Sequence, residues 1–130
     1  MKKVFNLAAA IMCFVLMLSL SAAPAYAEQA VPNGSTSVGY YLYTDYGFYY
    51  VPQDTVVGFN NITSGTYVRA AQAALTHIDD HYSVSCNPGG IDGSFGYNTY
   101  YAVQYFQTYV GITSDGYVGN QTWSYMSAYC

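Results

Sequence analysis

Two histidines and two acidic residues stand together in the run His77-Ile78-Asp79-Asp80-His81. On a helix, His77 and His81 would share one face, and histidines four residues apart bind zinc in some enzymes. The zinc proteases with this spacing carry Glu directly after the first histidine, where this chain has Ile78. We therefore interpret the run as the polar end of a helix, and we predict no metal site and no cofactor.

Two aspartates could act as the carboxylate pair of a glycosidase, but they occupy matching places in a repeated phrase. The first copy is Asp92-Gly93-Ser94-Phe95-Gly96-Tyr97-Asn98-Thr99 and the second is Asp115-Gly116-Tyr117-Val118-Gly119-Asn120-Gln121-Thr122. Both read Asp-Gly, any residue, an apolar residue, Gly, two further positions and Thr. This equivalence favours a structural role for eight loop braces: Asp92, Gly93, Gly96, Thr99, Asp115, Gly116, Gly119 and Thr122.

The repeated phrase is typical of a turn that leads into a helix. An Asp carboxylate can accept backbone N–H groups of the following residues, and Gly adopts a positive φ at little cost. The apolar fourth residue can tuck into a core, and the second Gly falls near the helix N-cap. The Thr then lies in the first turn, where its hydroxyl can bond back to the loop.

Cys86 and Cys130 are the only cysteines beyond Cys13, which lies in an apolar leader. A catalytic role for Cys86, with His77 or His81 as its base, would need a reduced thiol in a preformed cleft. In a small secreted chain an even pair more often forms a disulfide. The sequence therefore predicts a Cys86–Cys130 disulfide and no catalytic residue.

The first 27 residues have the layout of a secretory signal peptide. Lys2 and Lys3 precede an almost wholly apolar stretch, and Ala25-Tyr26-Ala27 is a small-x-small cleavage pattern. We predict a signal peptide over residues 1–27 and a secreted product that is extracellular or associated with a cell wall. After cleavage we expect no membrane partner.

Cleavage would leave Arg69 as the only Lys or Arg against seven acidic residues, a formal charge of −6. Such a surface repels phosphate backbones, so the composition excludes nucleic acid as a partner. Sixteen tyrosines remain beyond residue 27. Tyr presents a flat apolar ring and a hydroxyl that stays hydrated, so we expect binding by hydrogen bonds and aromatic contact.

The remaining chain divides into two compositional units. Residues 28–65 form an arm rich in Tyr and Gly, where two β-prone runs flank Asp45-Tyr46-Gly47 and suggest a hairpin with a three-residue loop. Residues 66–130 show helical spacing in three stretches, one before the first phrase and one after each copy. Trp123, at helical spacing with Met126, is interpreted as a core residue.

The second unit resembles the peptidoglycan-binding domain family, a three-helix domain appended to many bacterial cell-wall hydrolases. The resemblance covers residues 68–126 and rests on Val68, Gln72 and Leu75 and on both Asp-Gly phrases, the second followed by Trp123. The run Ala102-Val103-Gln104-Tyr105-Phe106-Gln107 between the phrases also fits the family pattern. The resemblance implies a mainly α three-helix bundle and peptidoglycan as the ligand.

Three departures from the family pattern affect that expectation. The loop before the first phrase is longer and carries Cys86, basic residues are missing from the first two helices, and a Tyr-rich arm stands where a catalytic domain is often attached. Ionic contacts to stem-peptide carboxylates are therefore not expected. We predict instead that the second helix binds the ligand through six residues: Tyr97, Asn98, Tyr101, Gln104, Tyr105 and Gln107. The alternative for the tyrosines is packing under the arm.

Two functions follow from these patterns. The first is a secreted, non-catalytic module that binds bacterial cell-wall peptidoglycan. The second is a protein-interaction or assembly module, in which the arm pairs with another copy of the chain or with a separate cell-wall hydrolase. An enzyme is not expected, because the chain is too short to hold a hydrolase domain beside the helical one.

Overall fold

The computed structural model describes residues 39–130, so the predicted signal peptide over residues 1–27 lies outside the described part of the chain. The elements are β1 (Gly39–Thr44), β2 (Gly47–Pro52), α1 (Thr66–Tyr82), α2 (Tyr97–Val110) and α3 (Asn120–Tyr129). The prediction of a mainly α domain with three helices and an N-terminal hairpin is confirmed. Within residues 39–130, no helix combines the length and apolar character that crossing a bilayer requires.

The hairpin has a tighter turn than the sequence suggested. Strands β1 and β2 pair antiparallel from Gly39↔Pro52 to Thr44↔Gly47, which leaves only Asp45 and Tyr46 in the loop. The predicted three-residue loop was therefore wrong by one residue, because Gly47 pairs with Thr44. The Thr44 hydroxyl holds the turn: it donates to the Gly47 carbonyl at 2.7 Å and accepts the Tyr46 N–H at 3.0 Å.

One face of the hairpin belongs to the same core as the helices. Leu42 and Val51 are fully buried, and β1 packs against both α1 and α3. Alternate residues point to opposite faces of a strand, so the other face carries exposed aromatic rings. These are Tyr41, Tyr43 and Phe48, and each is about half exposed or more.

The segment between β2 and α1 ties both repeated phrases to the hairpin. Val57 and Val118 exchange backbone hydrogen bonds of 3.1 and 2.8 Å, and Phe95 donates its N–H to the Thr63 carbonyl at 2.9 Å. The indole Nε1–H of Trp123 donates to the buried Thr55 carbonyl at 2.9 Å. Residues of the predicted arm therefore fix the position of the helices and of both loops.

The three helices bury the apolar stripes that the sequence indicated. The fully buried residues on them include Val68, Leu75, Ile78, Val103, Phe106, Trp123 and Met126. The core position predicted for Trp123 is confirmed. Helix α2 is the only described helix that lies between the two phrases, so it begins at one loop and ends near the other.

Candidate functional site

A buried glutamine on α1 organises the first Asp-Gly loop. Gln72 is 1% exposed, and its Nε2 group lies 3.0–3.1 Å from three acceptors: Asp92 Oδ1, the Ser94 carbonyl and Thr99 Oγ1. Its Oε1 accepts the Gly93 N–H at 2.8 Å. The single amide of Gln72 thus forms hydrogen bonds both with the loop and with the first turn of α2.

A glutamine on α2 repeats the same network at the second loop. Gln107 Nε2 donates toward Asp115 Oδ1, the Tyr117 carbonyl and Thr122 Oγ1 at 2.8–3.1 Å. Its Oε1 accepts the Gly116 N–H at 2.9 Å. Gln107 is 1% exposed, so its assignment to the ligand-binding set requires correction: its amide is fully used in holding the second loop.

The first glycine of each phrase allows the turn, and the aspartate accepts hydrogen bonds within the loop. Gly93 and Gly116 adopt φ of 78° and 79°, the left-handed region where a side chain is strained. A Cβ on Gly116 would also lie 2.2 Å from the Tyr100 ring. The Ser94 N–H and the Gln72 amide bond to the Asp92 carboxylate and hold its pKa below the usual range.

The second glycine of each phrase stands directly before a helix. Gly96 precedes α2 and Gly119 precedes α3, and both are extended N-caps without a side-chain capping bond. Thr99 and Thr122 are buried in the first turns of these helices, where they accept from the glutamines. The eight loop-brace residues therefore lie in two equivalent frames. Each frame consists of one repeated phrase and the glutamine that holds it, Gln72 for the first phrase and Gln107 for the second.

The outer face of α2 carries the predicted aromatic strip. Tyr97, Tyr101 and Tyr105 are 66%, 51% and 60% exposed, and the ring centroids of Tyr97 and Tyr101 lie 6.1 Å apart. Tyr109 extends the strip by a further turn at the same four-residue spacing and is also exposed. Tyr109 is not among the predicted binding residues, although it follows Tyr105 at the four-residue spacing of the strip.

A surface groove runs between this strip and the loop that precedes the first phrase. One part, of about 400 Å³, is lined by residues that include Pro88, Gly90, Asp92 and Tyr97. The neighbouring part, of about 220 Å³, is lined by Tyr101 and Tyr105 among others. Three residues line both parts, which makes them adjoining sections of one groove: Pro88, Gly89 and Asn98.

Asn98 and Gln104 have different roles on this face. The Asn98 side chain is exposed at the join of the two groove sections and makes no hydrogen bond within residues 39–130, so both its donor and acceptor face solvent. Gln104 is half-buried, and its Nε2 donates to the Ser114 carbonyl at 3.2 Å and to the Tyr100 hydroxyl at 3.3 Å. Asn98 is therefore the better-placed amide for a ligand.

The alternative prediction, that the tyrosines pack under the arm, holds only at the N-terminal end of the strip. Phe59 contacts the rings of Tyr97 and Tyr100 at centroid distances of 4.9 and 5.4 Å. Tyr100 is half-buried, whereas Tyr97 keeps two thirds of its surface exposed. The arm thus supports the base of the strip and leaves its outer face open.

Cys86 and Cys130 are free thiols in this structure, so the predicted disulfide is not present in it. Cys86 is fully buried, and its Sγ–H donates to the Leu75 carbonyl at 3.4 Å. Burial, followed by the charge of Asp79, raises the pKa of Cys86 to about 12. Burial raises that of Cys130 to about 12 as well, with the neighbouring Cys86 as a second cause. Neither thiol has the lowered pKa of a cysteine nucleophile.

The structure also brings Asp45 of the hairpin turn to the two histidines of α1. Asp45 Oδ2 lies 2.7 Å from His81 Nε2 and 3.7 Å from His77 Nδ1. The hydrogen bond from His81 lowers the pKa of the Asp45 carboxyl. No local sequence pattern predicts this group, because Asp45 is 32 residues from His77.

Comparison with known proteins agrees with the geometry of the two frames. Residues 64–126 match the family described as "Putative peptidoglycan binding domain". No curated protein and no solved structure shows significant similarity to the chain. The match begins just before α1, contains both glutamine-centred frames and ends within α3. Residues 64–126 of this chain therefore belong to the peptidoglycan-binding domain family.

Proposed function

We propose that the protein is a secreted, non-catalytic module that binds bacterial peptidoglycan in the groove beside α2. Membership of residues 64–126 in the family supports peptidoglycan as the ligand and a cell wall as the place of action. The observation that carries the proposal is the continuous groove with exposed tyrosines along one wall. The opposite wall is the loop Pro88–Gly90, which is longer here than the family pattern requires.

The chemistry of the groove suits a glycan with amide substituents. The apolar faces of sugar rings stack on aromatic rings, and Tyr97, Tyr101 and Tyr105 present three such rings along one line. Asn98, at the centre of the groove, can donate to and accept from an N-acetyl or peptide amide. Arg69 is the only Lys or Arg of the described residues, which favours neutral hydrogen-bonding and stacking over ionic recognition.

Secretion also bears on the two cysteines. Cys86 belongs to the buried core cluster and Cys130 packs against that cluster; after burial, Cys86 is the second cause that raises the pKa of Cys130. We propose that they form a disulfide after export, with both thiol hydrogens passing to a thiol oxidant of that compartment. The bond would fasten the C-terminus to the loop that forms one wall of the groove.

A binding assay on purified, insoluble peptidoglycan tests the groove. We expect the wild-type protein to sediment with the polymer. The double variant Tyr101→Ala/Tyr105→Ala should bind at least about tenfold more weakly, since each aromatic contact contributes about 0.5–1.5 kcal/mol and tenfold corresponds to about 1.4 kcal/mol.

The matched control is Tyr41→Ala/Tyr43→Ala, which removes two equally exposed rings from the hairpin. Wild-type binding by this control, with loss of binding by the α2 variant, supports the groove. Equal binding by all three proteins, or recovery of the wild type in the supernatant, contradicts it.

The outer face of the hairpin favours a second candidate function, an assembly module. Tyr41, Tyr43 and Phe48 form a contiguous aromatic patch, with ring centroids 6.0 Å apart for Tyr41–Phe48 and 4.9 Å for Tyr43–Phe48. Exposed apolar patches of this kind often mark interaction surfaces. A second copy of the chain or a cell-wall hydrolase are the candidate partners.

Analytical ultracentrifugation separates the two functions. An assembly module should dimerise at micromolar concentration, and Tyr43→Ser/Phe48→Ser should return it to a monomer without changing its sedimentation with peptidoglycan. A wild-type protein that stays monomeric and binds no hydrolase argues against this second function.

A further inference from the structure

Three metal-ligating side chains converge where the hairpin turn meets α1. Asp45 comes from the turn, and His77 and His81 come from successive turns of the helix. Each residue offers one donor atom, and these three atoms all lie within 4.8 Å of one another. The group shares no residue with the groove beside α2.

The spacing of the donors is close to that of a tetrahedral site. Bonds of about 2.0–2.1 Å to zinc place neighbouring donors of a tetrahedron about 3.3 Å apart. The two separations from Asp45 Oδ2, 2.7 Å to His81 Nε2 and 3.7 Å to His77 Nδ1, lie on either side of that value. Shifts of about half an ångström in exposed side chains would equalise them.

The surroundings allow these shifts and leave room for further ligands. The Asp45 and His81 side chains are 59% and 48% exposed, whereas His77 is 12% exposed and is held by the helix. The Asp45 N–H donates to His77 Nδ1 at 3.1 Å, so the imidazole lone pair already points at the turn. A metal ion would replace this hydrogen bond and the one between Asp45 and His81.

The donor set selects the class of metal. Two imidazoles and one carboxylate suit zinc and the other later divalent transition metals, whereas calcium and magnesium prefer oxygen ligands only. Neighbouring charge also favours a cation, because Asp80 lies next to the group and accepts a hydrogen bond from the Tyr46 hydroxyl. Solvent can supply the remaining ligands.

We propose that Asp45, His77 and His81 form a zinc-binding site that fastens the hairpin to α1. The site would replace the prediction from the sequence, which interpreted the two histidines as the polar end of a helix and expected no metal site. Its role is structural, because it links two elements at the surface. It does not depend on peptidoglycan binding.

The test uses the protein purified without a polyhistidine tag and treated with a chelator. Titration with Zn²⁺ followed by calorimetry should show one saturable site, and zinc at a hundredfold excess over Kd should raise the Tm by roughly 10 °C. Co²⁺ should give the visible absorption of a tetrahedral site without a thiolate charge-transfer band.

Matched variants identify the ligands. Asp45→Asn and His81→Gln should each weaken zinc binding at least about tenfold. Asp80→Asn changes an adjacent carboxylate outside the donor set, so it should bind zinc within about twofold of the wild type. Circular dichroism of the metal-free variants confirms that each is folded.

Imidazole ¹⁵N chemical shifts provide an assignment that a nonspecific ion would not reproduce. Zinc should move the signals of His77 Nδ1 and His81 Nε2, the two nitrogens that face Asp45. The absence of saturable binding, or binding that survives Asp45→Asn and His81→Gln but is lost in Cys130→Ser, would overturn the proposal.

Discussion

At the scale of single residues, two buried glutamines hold the two repeated loops in place. Gln72 and Gln107 each use both ends of one amide to join an Asp, a Gly N–H, a loop carbonyl and a Thr hydroxyl. Removing one partner of a buried network costs more than a single surface hydrogen bond contributes, because the other groups stay buried without partners.

We expect Gln107→Ala to lower the free energy of unfolding by about 2–4 kcal/mol, since it leaves the Gly116 N–H and three other groups without their partner. Urea unfolding followed by Trp123 fluorescence measures this. Gln104→Ala, on the same helix but half-buried, is the control and should cost about 1 kcal/mol or less. Equal losses in both variants would contradict the structural role of Gln107.

The sequence predicted the loop residues but not the glutamine at their centre. The doubled phrase is local, so its Asp, Gly and Thr positions could be interpreted without a structure. Gln107 stands beside Phe106 and three residues after Gln104, and both glutamines look equally suited to a ligand. A Gln on the helix before each phrase was the available signal, since Gln72 and Gln107 precede the two copies in the same order.

At the scale of elements, the end of α1, its following loop and the C-terminus meet at the two cysteines. Burial raises the pKa of the Cys86 thiol to about 12, above the value of about 8.5 expected for an unfolded chain. A raised pKa in the folded state stabilises the protein below the unfolded pKa, and that contribution is lost as the pH rises from about 9 toward 12.

For the reduced protein, we therefore expect the Tm to fall more steeply above pH 9 in the wild type than in Cys86→Ala. Comparing the two proteins removes every contribution that they have in common. Differential scanning calorimetry between pH 7 and 10.5 measures the slopes. Parallel slopes in the two proteins would show that the Cys86 thiol is not buried as described.

The elements also show where local patterns stop being informative. Helical spacing identified all three helices, and β-prone runs identified both strands, because these signals lie within a few residues. The meeting of Asp45 with the histidines of α1 and the bond from Trp123 to Thr55 join positions 32 to 68 residues apart. Only tertiary packing brings those groups together, so no local sequence pattern indicates them.

At the scale of the whole molecule, the described part of the arm is a layer of the core. Leu42, Val51 and Val57 are fully buried in the same cluster as Trp123 and Met126. A two-stranded hairpin is marginal alone in water, and here its apolar face is covered by helices. Residues 39–63, which precede the family match, therefore contribute to the stability of the matched domain.

Substitutions at two neighbouring residues of β1 test whether the hairpin and the helices share one core. We expect Leu42→Ala to lower the free energy of unfolding of the entire molecule by about 2–5 kcal/mol, because it leaves a cavity in the shared core. Tyr43→Ala, on the outer face of the same strand, should change it by about 0.5 kcal/mol. Urea unfolding followed by the helical circular dichroism signal measures both changes. If the helices unfold at the same urea concentration in Leu42→Ala and in the wild type, the hairpin is an independent unit.

The two glutamine frames also determine which side chains of such a domain can be substituted without loss of the fold. Helix α2 receives the first loop at its N-terminus and supplies the glutamine for the second near its C-terminus, so two helix-loop-helix units overlap on one shared helix. The shared helix turns its amide inward and its tyrosines outward. Under the proposed function, the side of α2 that stabilises the fold lies opposite the side that binds the ligand, within the same fourteen residues. In a chain built this way, substitutions of the outward side chains could suit a different polymer without changing the fold.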